Sequence, residues 1–488
     1  MNLFLERQEY FYEMENICRL FFPHIKFEKN PTDTTGDFAK CEFIAVGDEL
    51  RAICTILYGE KQVCCEEVCP VPDDVHEQEI TMARGLYRLF SQITGISPKW
   101  GILTGVRPSK LYSSLMSEQH TSNQVQEYMN QRLLVEKEKL ELCHQCYLSE
   151  NTANGYCDGR SFSLYISIPF CPTRCSYCSF VSHSIEKTAK MIPEYVEKLC
   201  IELKETAAIA KTLGLVLKTI YWGGGTPTQL SADQLDVILN AIEANFDLSN
   251  LLEHTVEGGR PDTITPEKLQ VLKKHQVQRL SINPQTMHDS ILDIIGRRHT
   301  SQQVLTAYHM AREAGFANIN MDVIAGLPGD DYNGFCQTLN QLIDLNPENI
   351  TVHTLSVKRS SYLTSRGEIA TVPAVDEVEK MLDYANKTLS NGEFHPYYLY
   401  RQSKMLGNQE NVGWSKKGYD CLYNIYMMNE LHTVLAVGAG GVSRLKEPLG
   451  PQIERIFNYK YPYEYIERFS TVLERKQGVL AFYDKYSF

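Results

Sequence analysis

The chain has 488 residues, 43% hydrophobic and 22% charged, ordinary proportions for a globular protein but too long for one compact core. Its 48 basic and 60 acidic residues leave a net charge of -12, which argues against nonspecific nucleic-acid binding and against anchoring on an anionic membrane. No stretch has enough consecutive apolar residues to cross a bilayer. The segment Met1 to Leu20 is amphipathic, carries Glu6 and Glu9 early, and lacks the features of a secretory signal, so a cytoplasmic location is the default expectation. Fifteen cysteines in a chain this long are no disulfide scaffold, and their odd count and clustering point to metal ligation or reduced thiols.

In chain order, residues 1–160 read as an N-terminal α/β domain with a linker. Leu3 to Phe22 has a helical pattern, Cys41–Val46 and Arg51–Leu57 alternate as strands around Gly47–Asp48, and Glu77–Ile93 is a second helix. The loop Gly101-Ile-Leu-Thr-Gly-Val-Arg-Pro108 precedes a mostly helical run from Lys110 to Ser149, and Asn151–Arg160 reads as linker. Residues 161–370 then alternate strand and helix six times. The strand patterns are Leu164–Ile168, Thr219–Trp222, His254–Glu257, Gln278–Ile282, Ile319–Ile324 and Ile350–Leu355. Such alternation implies parallel strands with crossover helices, here an open (βα)6 version of the eight-stranded α/β barrel, whose chemistry sits at the strands' C-terminal ends. Residues 371–488 read as a C-terminal α+β domain over the barrel mouth, with helices at Val375–Leu389 and Tyr463–Arg475, a strand at Tyr397–Tyr400 and the glycine cluster Val437–Val442.

The chemistry begins just past the first barrel strand, in Tyr165-Ile-Ser-Ile-Pro-Phe-Cys171-Pro-Thr-Arg-Cys175-Ser-Tyr-Cys178. Thiolates are soft ligands that select zinc or iron–sulfur centres. A structural zinc wants four closed ligands, and no obvious fourth lies nearby. Three cysteines suit a cubane [4Fe-4S] cluster whose fourth iron stays open to the amino and carboxylate groups of S-adenosylmethionine. The competing reading is a zinc loop that borrows His183 or a distant cysteine. One βα unit later, Tyr221-Trp-Gly-Gly-Gly-Thr-Pro-Thr228 bares backbone that can approach a ligand directly. Glu257 ends the third strand, Gln285 and Arg297 follow the fourth, and Asp322 sits inside the apolar fifth, where a carboxylate is costly without a polar partner. Acid and amide groups suit ribose hydroxyls, and arginine suits a carboxylate. Each of these four also reads as an ordinary surface or salt-bridge residue.

Residues 160 to about 445 resemble the oxygen-independent coproporphyrinogen III oxidase family of radical S-adenosylmethionine proteins. The shared residues are Tyr165, the cysteine loop, Gly-Gly-Gly-Thr-Pro-Thr, the glutamate, Gln285, Arg297 and Asp322-Val-Ile-Ala-Gly-Leu-Pro. The 101–108 loop, Glu-Gly-Gly-Arg-Pro-Asp at 257–262 and Tyr-Leu-Tyr-Arg-Gln at 398–402 extend the likeness to the longer subgroup called coproporphyrinogen dehydrogenase. The resemblance implies that Cys171, Cys175 and Cys178 hold the cluster. It implies that Gly224, Gly225, Thr226, Glu257, Gln285, Arg297, Asp322 and Ser356 contact S-adenosylmethionine, with Tyr165 beside it as the catalytic tyrosine. The implied reaction converts two propionates of coproporphyrinogen III to vinyls, giving protoporphyrinogen IX in haem biosynthesis, with a reduced flavodoxin- or ferredoxin-type protein as electron donor.

Two departures bear on the substrate. Phe180 stands where oxidases of the family carry a further cysteine, as in members thought to bind haem, and Arg260 follows the glutamate where Asp/Asn-Pro is usual. Two alternatives therefore accompany the oxidase: a haem-binding or haem-delivery protein on the same scaffold, and a radical enzyme acting on haem or another tetrapyrrole. Arg260 has two readings, a propionate contact or a helix cap. Cys64/Cys65/Cys69 and Cys143/Cys146 read as packing cysteines, with a second metal site as the competing reading. Arg107 and Lys110 read as a helix-start loop or an anion site, and Tyr397, Tyr398 and Tyr400 as strand residues or porphyrin contacts.

Overall fold

Phe162, Leu164, Ile166 and Ile168 alternate with Ser163, Tyr165 and Ser167, and this period of two makes a strand with one apolar and one polar face. That division recurs through the larger part of the protein. A computed structural model describes residues 1–486 except 24, 33–34, 106, 119, 179–182, 359–370, 403–404 and 449, together with the side chain of 187. Phe180 therefore lies outside the described residues. The chain forms two compact units, one built from Met1–His144 with short segments of the 401–409 stretch, the other from the remainder.

The first unit holds a five-stranded sheet of β1 (Asn2–Leu5), β2 (Glu28–Lys29), β3 (Phe38–Val46), β4 (Glu49–Tyr58) and β5 (Lys61–Cys69), in the order β2-β1-β3-β4-β5. The helical expectation for Leu3 to Phe22 holds only from Phe11 to Phe21. Residues 2–5 pair with β2 and β3 instead, because their alternating burial is satisfied by a sheet. The cysteine-rich stretch 61–69 is a strand that its exposed, charged face disguised. A helix at Val75–Thr94 packs on β4 and β5. Asp74 caps its start and Gly95, at φ 71, ends it. Pro108 opens a helix directly after Arg107, in agreement with the helix-start reading. The run 110–149 is not one helix but parts of three, Pro108–Ser117, Ser122–Gln131 and Lys137–Asn154. The Thr121 capping box starts the second.

The second unit is organised on an eleven-stranded sheet. Strand β6 (Ser161–Ile168) leads into a short parallel pair, β7 (Phe170–Cys171) and β8 (His183–Ser184). Strands β9 (Val216–Gly224), β10 (Glu253–Glu257), β11 (Arg279–Ser281), β12 (Asn318–Ala325) and β13 (Asn349–Thr354) follow, each parallel to the one before it and β9 parallel to β6. These six strands, with helices at Ile192–Thr212, Ala232–Asn245, Pro266–Lys274, Ser301–Glu313 and Tyr332–Leu345 between them, are the expected partial (βα)6 barrel. Ser231 and Thr300 open two of the helices with capping boxes.

Residues beyond 370 extend this same sheet. Strands β14 (Phe394–Tyr400) and β15 (Asn411–Lys416) add antiparallel to β13. Strand β16 (Thr433–Val437) lies parallel to β6 at the other side, and β17 (Val442–Lys446) and β18 (Ile453–Phe457) continue from it. The helix expected over Tyr463–Arg475 is broken at Arg468. The C-terminal helices are tied down by Glu202, which is fully buried and pairs with Lys476 at 2.9 Å. The same carboxylate accepts from Gly438 N at 2.8 Å, Tyr465 Oη at 2.7 Å and Asn458 Nδ2 at 2.7 Å. Among the described residues, no helix is long and apolar enough to cross a membrane.

Candidate active site

The outer faces of the barrel strands are apolar, and their inner faces are polar. Ser163 Oγ lies 2.6 Å from Thr219 Oγ1, Asn320 Nδ2 donates to Ser281 Oγ at 2.9 Å, and Thr351 Oγ1 donates to Asn320 Oδ1 at 3.0 Å. A lumen of hydroxyls and amides in place of packed aliphatics is what a strand period of two yields when alternate positions are polar.

The upper lumen gathers a carboxylate and three stacked rings. Tyr221 Oη donates to Glu257 Oε1 at 2.6 Å. The Tyr165 ring stacks on Tyr221 at 6.4 Å and on Tyr423 at 6.1 Å, and Tyr221 and Tyr423 stack at 4.4 Å. Burial pushes the Glu257 carboxyl up to about 7, partly offset by the Tyr221 hydrogen bond. Gly223 leaves the room for this, since a Cβ there would stand 3.1 Å from Tyr165 Oη and 3.3 Å from Glu257 Oε1. Asp322 behaves in the opposite way. Burial raises its pKa, but His353 at 3.5 Å, Asn320 at 2.8 Å and Thr351 outweigh burial and hold it below the usual range. Two buried carboxyls in one lumen are thus set apart, one close to neutral pH and one firmly ionised.

The cysteine loop stands at the C-terminal end of β6. Cys171, Cys175 and Cys178 are half-buried cysteines. The loop is pinned by Ser176 N to Ile295 O at 2.9 Å and Thr173 Oγ1 to Gly296 O at 2.9 Å. Arg260 stands at the N-cap position of the short helix Pro261–Thr263, but its side chain makes no capping hydrogen bond. It is buried, grips Asp262 through Nε at 3.1 Å and Nη2 at 3.2 Å, and donates from Nη1 to Thr173 Oγ1 at 3.0 Å, so it anchors the loop. His183, the alternative fourth ligand, packs edge-on against Tyr461 at 5.7 Å.

The glycine loop closes on the cysteines. Gly225 N donates to Ile168 O at 2.7 Å, Thr226 N to Phe170 O at 2.8 Å, and Thr226 Oγ1 lies 3.4 Å from Cys171 Sγ. A Cβ on Gly225 would come within 2.7 Å of Phe170 O and 3.0 Å of Cys171 Sγ, and Gly224 has φ +100. Gln285 takes a positive φ of 70 and donates its backbone N–H to Asp322 O at 2.9 Å. Arg297 is buried and donates to Asn283 O at 2.5 Å. Burial lowers its pKa, but Tyr177 and Cys175 beside it raise it further. Ser356, two residues past β13, forms an isolated bridge with Met405. The contacts therefore join Cys171 with Thr226, Cys175 with Arg297, and Tyr165 with Tyr221, which in turn holds Glu257.

The lumen residues missed from the sequence are Tyr221, Tyr423 and His353. The two on strands share the inward phase of Tyr165 and Asp322, a usable signal, whereas Tyr423 sits on a helix at Leu422–Asn429 and gave none. Tyr397 and Tyr398 are buried in the same cluster as Tyr423. Cys143 and Cys146 are buried in their helix, as packing cysteines are. Among the described residues, no three Cys, His, Asp or Glu side chains already converge on a metal position.

The residues nonetheless fit a thiolate-held cluster with a polar ligand beside it. Gln285 Oε1 and Arg297 Nε are buried without a hydrogen-bond partner, and the Gly225 cradle has no space for a side chain. The donor set is three soft thiolates on one loop.

The family model described as the Radical SAM superfamily matches residues 165–342. The oxygen-independent coproporphyrinogen-III oxidase-like protein HemZ of Bacillus subtilis is 39% identical over 478 residues, covering 95% of this chain and 94% of that one. The heme chaperone HemW of the same organism is 34% identical over 57% of this chain and 70% of its own. Among solved structures, coproporphyrinogen III oxidase (HemN) from Escherichia coli aligns with a TM-score of 0.52 at 20% identity, over 67% of this chain and 72% of that one, a likeness of fold. The chain belongs to the oxygen-independent coproporphyrinogen-III oxidase-like family of radical SAM proteins. Its cofactors are those of that superfamily, a [4Fe-4S] cluster and S-adenosylmethionine.

Proposed function

We propose that this protein is an oxygen-independent oxidase that decarboxylates propionate side chains of coproporphyrinogen III to vinyls in the cytoplasm. The reading rests on the resemblance to the HemZ-like protein along 95% of the chain, while the chaperone relative matches 57% of it. The single structural observation that supports a polar cofactor at the thiol loop is Arg297, whose Nε is buried without a partner beside Cys175.

Cys171, Cys175 and Cys178 hold the cluster, and Gly224, Gly225 and Thr226 offer backbone to S-adenosylmethionine. Arg297 and Gln285 take its polar ends, Glu257, Asp322 and Ser356 complete the pocket, and Tyr165 lies alongside. Together the bound pair supplies a carbon radical that removes hydrogen from substrate. The chain's part is position and shielding. Arg260 and Thr173 fix the loop, the Tyr165–Tyr221–Tyr423 stack lines the lumen, and Glu257 can hold or release a proton near neutral pH. At each propionate, a β-hydrogen is taken, carbon dioxide and one electron leave, and a vinyl group remains. An acceptor must remove that electron, and a reduced flavodoxin- or ferredoxin-type protein serves as donor for the cluster.

The test is anaerobic reconstitution with S-adenosylmethionine, a strong reductant and coproporphyrinogen III, read by mass spectrometry. Loss of two carboxyl groups, abolished by Cys175→Ala, is expected. Tight haem binding without turnover would transfer the assignment to haem delivery, the reading favoured by the 34% match to the chaperone. A mass change on haem alone would indicate a different tetrapyrrole substrate.

A further inference from the structure

The first unit carries a row of thiols unconnected with the barrel chemistry. Cys41 of β3 stands opposite Cys54 of β4, and Cys54 stands opposite Cys65 of β5. Residues directly opposite on antiparallel strands have Cα atoms about 4.5–5.5 Å apart, inside the range a disulfide spans. Cys41 Sγ and Cys54 Sγ are 3.0 Å apart.

The helix at Val75–Thr94 covers the row, and its carbonyls meet the sulfurs. Cys65 Sγ is 3.5 Å from Gly85 O, and Cys54 Sγ is 3.7 Å from Met82 O. A Cβ at Gly85 would lie 2.6 Å from Cys54 Sγ and 3.5 Å from Cys65 Sγ. Glycine inside a helix is unfavourable relative to alanine. Here the sulfurs fill the space that a methyl group would need.

Access along the row is graded: Cys65 is half-buried, and Cys54 and Cys41 are buried. Three thiols in line, open at one end, match the requirement of thiol–disulfide exchange, in which attacking, central and leaving sulfurs align. A row of this kind is poorly suited to a closed metal site, which needs ligands around a point.

We propose that Cys65, Cys54 and Cys41 form a peroxide-responsive relay that stores oxidation as a buried Cys41–Cys54 disulfide. The Cys65 thiolate attacks hydrogen peroxide, the O–O bond breaks, and Cys65 sulfenic acid and water form. The Cys54 thiol displaces water from that sulfenic acid to give a Cys54–Cys65 disulfide. Cys41 then attacks the Cys54 sulfur, and Cys65 leaves as a thiol. In sum, two thiols and one peroxide yield one disulfide and two waters. The contact with Cys54, burial and the Glu67 carboxylate outweigh Arg88 and hold the Cys65 thiol protonated, so the first step is slow at neutral pH and speeds up as pH rises.

The full-length protein, reduced in an anaerobic chamber, is exposed to hydrogen peroxide and quenched with an alkylating reagent. Disulfides are then mapped by mass spectrometry after non-reducing digestion. The expected product is a Cys41–Cys54 crosslink with Cys65 alkylated as free thiol. In Cys41→Ser the crosslink stops at Cys54–Cys65, and in Cys65→Ser formation of Cys41–Cys54 slows about tenfold. Recovery of Cys41 and Cys54 as unmodified thiols in the wild-type protein, with only Cys64 or Cys65 oxidised, overturns the proposal. So does an unchanged crosslinking rate in Cys65→Ser.

Discussion

Tyr221 and Glu257 share a proton donor and acceptor at 2.6 Å, and burial keeps that carboxyl titrating near pH 7. The hydrogen bond opposes burial, so removing it should move the titration further up. In Tyr221→Phe, the pH profile of S-adenosylmethionine cleavage is expected to shift upward by about half to one unit. A profile that keeps its midpoint would show that Glu257 does not govern it.

The same carboxyl makes a stability prediction. Its folded pKa, about 7, exceeds its unfolded value, so the folded state binds the extra proton between them. The contribution is present below the unfolded value and is lost as pH rises towards 7. Glu257→Gln is expected to flatten this slope, gaining about 2 kcal/mol at pH 8 over the wild type relative to their difference at pH 4. Urea titrations at the two pH values measure it, and parallel curves for both proteins would contradict it.

Gly225 has no space for a methyl group, because Phe170 O, Ile168 O and Cys171 Sγ surround the Cβ position. Gly225→Ala should displace the loop, cost about 1–3 kcal/mol and abolish formation of deoxyadenosine. The absorbance of the reconstituted cluster reports the loop separately. Wild-type turnover in this variant would remove the glycine loop from the site.

Arg260 is buried and holds Asp262 and Thr173. Arg260→Ala removes a buried guanidinium and its hydrogen bonds to Thr173 and to the partly exposed Asp262, at about 1–3 kcal/mol. Arg260→Lys keeps the charge and loses the fork, so it should recover stability in part but not the loop's position. Cluster content in the two variants, measured by iron and sulfide analysis, distinguishes anchoring of the loop from general destabilisation.

The buried Glu202–Lys476 pair ties the C-terminal helices to the barrel. Lys476→Met strands the carboxylate and should cost about 3–5 kcal/mol, seen as a lowered Tm. Restoration of the Tm in Glu202→Gln/Lys476→Met would locate the loss in the unpaired charge.

The sequence made the barrel legible because its strands are short apolar runs with regular helical partners. The cysteine and glycine loops were legible because their spacing is itself the chemistry. The anchoring contact of Arg260 was not legible because its partner Thr173 is brought to it only by the fold. Strand β5 was missed because seven of its nine residues are exposed or half-buried, Lys61, Gln62, Cys64, Cys65 and Glu66 among them, which do not look like a core strand. Tyr423 was invisible for a simpler reason: a helix far along the chain contributes one ring to a stack otherwise built by strands.

The pairing of β16 with β6 has a consequence for synthesis on the ribosome. Thr433 hydrogen-bonds alongside Phe162, so the neighbour of the first barrel strand is translated about 270 residues after it. At roughly 5–20 residues per second, that edge waits on the order of ten to fifty seconds for its partner. Throughout that interval the strand that leads into the cysteine loop presents an edge of unpaired backbone N–H and C=O groups. Early delivery of iron and sulfide to the nascent chain would therefore meet an unfinished scaffold, and maturation should follow release.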